Sequence, residues 1–147
     1  MIARHVLTVL AVAGMGCGPT LSARVSRCEF GEFPIPTLED NSKQPPTYWR
    51  PRTVEETTLR RHDLHRKLVV VSGYYRRAYE ESHLWPSRRD AQANSRLQTP
   101  RIGVSEFGAA GARLRSCNGL NIIVYGEFIS LYEMGEDMVV PRAIRVR

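Results

Sequence analysis

The sequence holds no apolar run long enough to cross a bilayer as a helix. Such a span needs about 20 residues, and the N-terminal candidate, Val6–Ala13, is far shorter. Lysine is nearly missing: Lys43 and Lys67 stand against 19 arginines, and no glycine-rich phosphate loop ending in lysine is present. Ser72-Gly73 lacks the flanking residues of a nucleophile elbow. Adjacent Glu80 and Glu81 would point apart on an extended strand, which is the wrong arrangement for an acid/base pair. His62 and His65 have metal-like spacing, but no cysteine or acidic cluster completes a site. The sequence therefore nominates no catalytic residue, no metal ligand and no cofactor, and the domain is read as non-enzymatic.

Cysteine is scarce too, with Cys17, Cys28 and Cys117 only. Cys17 follows a segment of secretory design. A short basic start (Arg4, His5) leads into the apolar run, and small residues close it at Gly14-Met15-Gly16-Cys17. Glycine directly before Cys17 resembles the bacterial lipoprotein signal, in which that cysteine is lipidated and becomes the new N-terminus. Residues 1–16 would then be the signal peptide. A second site follows Leu21-Ser22-Ala23, which would make the signal 1–23 and release a free periplasmic or secreted protein. Either route leads to an oxidising compartment, where the remaining two cysteines would pair. A Cys28–Cys117 disulfide is expected, closing about 90 residues and contributing roughly 4 kcal/mol in the chain-entropy model.

The net charge is +6, from 21 basic and 15 acidic residues interleaved along the chain. That excess permits weak association with anionic surfaces and does not point to nucleic acid. Arginine suits planar contacts to carboxylate or phosphate, although its dominance also follows from a GC-rich genome. Residues 17–52 read as an extended arm. Five of the nine prolines fall at Pro34, Pro36, Pro45, Pro46 and Pro51, and proline removes ladder donors and disfavours helix before it. Phe30, Phe33, Ile35, Tyr48 and Trp49 argue that part of the arm lies against the domain. At Thr53 the pattern changes: Thr53 with Glu56 three residues on is a capping box, and predicts a helix of about two turns.

The rest, residues 53–147, is organised around Lys67–Trp85. Leu68–Val71 is β-branched and apolar, Gly73 and two tyrosines follow, and after a charged bend comes Leu84-Trp85. This predicts a strand, a bend and a second strand. Ile122-Ile123-Val124-Tyr125-Gly126-Glu127-Phe128 repeats the pattern of Val69–Tyr75. In both, alternation places three large residues and a glycine on one face: Val69, Val71, Tyr75 with Gly73, and Ile122, Val124, Phe128 with Gly126. Glycine inside a strand marks a bulge, a tight bend or a close backbone approach, and two strands so creased suit a small curled barrel. Pro86–Arg96 has room for a helical turn, Ile102–Val104 is a short strand, Gly108–Gly111 is a flexible link, and Met138–Val140 and Ala143–Val146 close the chain. The expected fold is mainly β, an OB-like barrel of five or six strands with one or two short helices.

Residues from about 53 to 147 resemble a family of uncharacterised bacterial exported proteins and lipoproteins. Members carry a strand GK-x-V-x-V-x-G-Y, then FE-x-x-ALY, a strand V-x-V-x-G-x-F and a last strand GxI-x-x-I. Lys67, Val69, Val71, Gly73 and Tyr74 match the first; Tyr79-Glu80 and Leu84-Trp85 the second; Ile122, Val124, Gly126 and Phe128 the third; Ala143-Ile144 the last. Arg66 stands where the family has glycine, and its Gly-His-rich loop before the final strand is missing here. The resemblance implies an OB-like domain and carries no activity with it.

OB-type barrels bind oligonucleotides or sugars through aromatic and basic side chains. Tyr74, Arg76, Glu80 and Trp85 are the candidate ligand-binding residues. Three functional readings follow. The first is a cell-envelope lipoprotein, anchored to the membrane through Cys17, that binds an envelope protein, polymer or membrane surface. The second is a secreted enzyme or enzyme inhibitor acting through an arm–barrel groove near Trp49, Glu80 and Trp85. The third is an oligonucleotide- or sugar-binding barrel, for which export makes nucleic acid a poor partner.

Overall fold

The computed structural model describes residues 20–31, 51–79, 81–93, 99–131 and 136–147. The N-terminal apolar segment with Cys17, most of the proline-rich arm with Trp49, and Glu80 lie outside the described residues. Five strands close into a barrel: β1 (Leu68–Ala78), β2 (Glu81–Trp85), β3 (Ile102–Val104), β4 (Asn121–Leu131) and β5 (Glu136–Val146). Their order round the barrel is β1-β2-β3-β5-β4. Neighbours are antiparallel except β3 and β5, which run parallel. This is the OB-like barrel expected.

Both glycine creases do the work their strands need. The first half of β1 pairs with β4 and the second half with β2, so β1 must turn sharply at Gly73. A Cβ on Gly73 would stand 2.9 Å from the Trp85 carbonyl oxygen and 3.0 Å from Val54. At Gly126 the approach is closer, with a Cβ only 2.1 Å from the Val140 carbonyl oxygen. The β4–β5 register slips there: Tyr125 pairs with Ala143 but Gly126 with Pro141, which leaves Arg142 as the extra residue of a bulge. That bulge is also what admits a proline into a barrel strand, because its missing N–H falls where the ladder is already broken. The two faces inferred from alternation are the core. Val69, Val71, Tyr75, Ile122, Val124 and Phe128 are buried, with Leu84, Ile102, Leu114, Val139 and Ile144 between them.

Helices plug and cover the barrel. α2 (Val54–Leu59) carries the complete Thr53/Glu56 capping box and buries Val54, Thr57 and Thr58. α3 (Arg61–Leu64) follows, and Arg66 after it has a φ of 62°. Arg66 thus adopts the left-handed conformation that favours glycine after a helix. α4 (Arg88–Ala93) packs over β1 and β2.

Two stretches differ from expectation. Gly108–Gly111 is not a flexible link but the start of α5 (Gly108–Leu114), which continues into the 3-10 turn η1 (Arg115–Cys117). Ala110, Gly111 and Leu114 are buried. Gly111 is required by proximity rather than by flexibility, since a Cβ there would stand 2.2 Å from the Glu106 carbonyl carbon. Within the supposed extended arm, Leu21–Cys28 is a helix, α1, capped by the Thr20 hydroxyl. Serine, alanine and arginine tolerate helix, and the prolines that argue against it all lie further on.

The Cys28–Cys117 disulfide is present and ties α1 to η1. Phe30 then pairs with Ile144 of β5, while Arg52 bridges to Val71 along the edge of β1 that β2 leaves uncovered. Both flanks of the proline-rich segment, Phe30 and Arg52, are therefore fastened to the barrel.

Candidate functional site

Tyr74 pairs with Trp85 and Arg76 with His83, so all four side chains share one outward face of the β1–β2 hairpin. That face is occupied by the protein itself. Trp85 is buried with the Arg101 guanidinium 5.8 Å from its ring centre, and Arg76 donates to the Ala91 carbonyl of α4. Tyr74 is half-buried. The structure thus brings Tyr74, Arg76 and Trp85 together, beneath α4 and the Arg101 loop.

A second candidate site lies on the neighbouring surface. A groove of about 870 Å³ runs across β2, β3 and the start of β5, bounded by the Ser105–Phe107 turn and by Thr58 and Arg61. Glu106 lines this groove and gathers several donors. Tyr75 points inward from β1, and its hydroxyl donates to Glu106 Oε1 at 2.9 Å while lying 3.2 Å from Ser82 Oγ. The Ser82 hydroxyl donates to the same oxygen. Arg77 Nε donates to both carboxylate oxygens at 2.9 and 3.2 Å, and Arg115 Nε lies 3.5 Å from Oε2. Partial burial pushes the Glu106 carboxyl upward. The hydroxyls of Ser82 and Tyr75 and the Arg77 guanidinium outweigh it, and the group is held below its ordinary range. The Tyr75 phenol is pushed well above its usual value, chiefly by burial.

At the other end, the buried Asp137 accepts from Ser130 Oγ at 2.8 Å and lies 3.6 Å from Arg61 Nε. The groove is also lined by Phe107, which is 89 % exposed. Glu106, Asp137 and Phe107 were not among the sequence candidates. Local pattern marks none of them, because their partners come from segments up to 76 residues away. The one available signal was an apolar Phe107 in an otherwise polar turn directly after a short strand.

A carboxylate held ionised by several donors is a poor general acid and a weak base. Ser82 faces the barrel interior and His83 the opposite side, so they do not form a nucleophile–base pair. Among the described residues no group of three or more His, Cys, Asp or Glu is placed to hold a metal, and no helix is long and apolar enough to cross a membrane. The chain matches no family model and no curated protein.

Proposed function

We propose that the chain is an exported, non-enzymatic binding domain of the cell envelope, acylated at Cys17, whose ligand seats in the β2–β3–β5 groove. One observation carries the reading: the groove lies on the β2–β3 surface of a closed OB-like barrel, the surface on which such barrels take ligands. Its lining sets Arg61, Arg101 and Arg115 against Glu81, Glu106, Glu136 and Asp137. A polyanion would meet more negative than positive charge there, so the lining favours a polypeptide or a polar envelope polymer over an oligonucleotide.

Export is supported by the Cys28–Cys117 pairing. Cleavage before Cys17 is favoured over cleavage after Ala23, because the later cut would remove the Thr20 cap and the first turn of α1. Two measurements test the proposal. Palmitate should label the wild type and not Cys17→Ser. A photo-crosslinking side chain at Phe107 should capture one envelope component in cells, and the same group at exposed Arg142 should not. Equal capture at both positions, or none at Phe107, rejects the groove.

A further inference from the structure

We infer that the cleft between α1 and η1, lined by Arg24, Arg27 and Arg115 with Ser116 and Asn118, docks the phosphodiester headgroups of an anionic bilayer. The cleft holds about 280 Å³ and differs from the main groove in charge: three guanidinium groups line it and no carboxylate does. Arg115 is half-committed to Glu106 on its far side. Among the described residues neither Arg24 nor Arg27 has an acidic side chain within ion-pair distance, and both are exposed. The Asn118 carbonyl oxygen already accepts from the Arg77 backbone N–H at 2.9 Å, so its amide N–H groups remain as donors beside the arginines. Guanidinium and amide donors converging on one small concavity suit phosphate oxygens.

Geometry selects the bilayer as the source of the phosphate, and here the inference rests on acylation of Cys17. Cys17 stands three residues before the Thr20 cap. Three extended residues span about 10 Å at most, so an acylated Cys17 holds the start of α1 within that distance of the headgroups. Arg24 and Arg27 lie one and two turns further on, about 6 and 10 Å along the helix. Leu21, Arg24 and Arg27 recur every third residue and share one side of α1, with Leu21 66 % exposed. An apolar side chain nearest the anchor, followed by cations, is the order in which a helix enters an anionic interface. The disulfide fixes η1, and with it Arg115, against that helix.

The test uses the full mature chain with Cys17→Ser, so that no acyl chain contributes, mixed with vesicles of phosphatidylglycerol and phosphatidylcholine or of phosphatidylcholine alone. Sedimentation should show binding to the anionic vesicles only, falling as salt rises. Each arginine near such a surface is worth about fivefold, so Arg24→Gln/Arg27→Gln/Arg115→Gln should weaken binding roughly a hundredfold. Arg60→Gln/Arg88→Gln/Arg89→Gln removes the same charge elsewhere and should weaken it severalfold at most. Equal losses in the two triples would reduce the effect to net charge and overturn the inference, as would no binding at low salt. Displacement from vesicles by millimolar inorganic phosphate would assign the cleft to a soluble anion instead. Palmitate incorporation reads the anchor separately: an unlabelled protein whose cleft still binds vesicles refutes acylation but not docking.

Discussion

Replacing Gly126 by alanine tests the closure of the barrel at its tightest point. The added Cβ would stand 2.1 Å from the Val140 carbonyl oxygen and 2.8 Å from its carbon, where ordinary contact begins at 3.4 Å. The obstacle is backbone on both sides, so no side chain can swing away; β4 and β5 must part by more than about 1 Å. Such overpacking costs about 1–3 kcal/mol. The ladder bonds flanking the bulge weaken with it at about 1 kcal/mol each. A loss of about 3–4 kcal/mol is expected, which lowers Tm by roughly 10–15 °C for a domain of this size. Thermal and urea unfolding of the mature chain measure it. Two companions separate crowding from conformation. Gly103→Ala meets its nearest atom at 3.3 Å and should cost under about 1 kcal/mol. Gly108→Ala meets nothing within 4 Å but has a φ of +79°, and should cost about 1 kcal/mol from backbone strain alone. A Gly126→Ala protein within about 2 °C of wild type, or less affected than Gly108→Ala, would refute the close approach as the reason for the glycine.

Three further outcomes are expected. Cys28→Ser/Cys117→Ser should lose about 4 kcal/mol from a loop of 89 residues' separation; a urea midpoint indifferent to reductant in wild type would contradict it. Arg66→Gly should stabilise by about 0.5–1 kcal/mol, because relief of the left-handed conformation (φ 62°) exceeds an exposed ion pair to Glu127 at 3.3 Å; a lowered Tm would show that the pair matters more. Glu106→Gln should cost about 2 kcal/mol near neutral pH, where the ionised group holds its donors. Because its folded carboxyl lies below its ordinary value near 4.3, that stabilisation is complete above about pH 5. It disappears as pH falls through the folded value, so the gap between variant and wild type must narrow below about pH 4. A gap constant from pH 3 to 7 would rule out a charged Glu106 in the cluster.

What could be read from the sequence was whatever is decided within a few residues. The Thr53/Glu56 cap is a contact three residues long. The creased strands announce themselves by alternation, since period two fixes which side chains of Val69–Tyr75 and Ile122–Phe128 meet. Long-range features were legible only where elimination was possible, as with Cys28 and Cys117. The Glu106 cluster was not legible: Tyr75, Arg77, Ser82 and Arg115 reach one carboxylate from three separate segments, and no spacing rule connects them. Gly108–Gly111 misled because glycine signals both freedom and crowding, and only the Glu106 backbone above Gly111 decides between them. Of the proline-rich stretch, only the flanks lie among the described residues. Proline content does imply an irregular path, but not that the path leads anywhere. Phe30 is held by Ile144 and Arg52 by Val71, so both flanks are fixed to the barrel. If Cys17 is the anchor, only Gly18 and Pro19 separate it in sequence from the Thr20 cap, which keeps the start of α1 within about 10 Å of the headgroups. A deletion within 32–50 should then leave the distance from membrane to groove unchanged, because α1 is already tied to the barrel through Cys28–Cys117 and Phe30, ahead of the deleted residues.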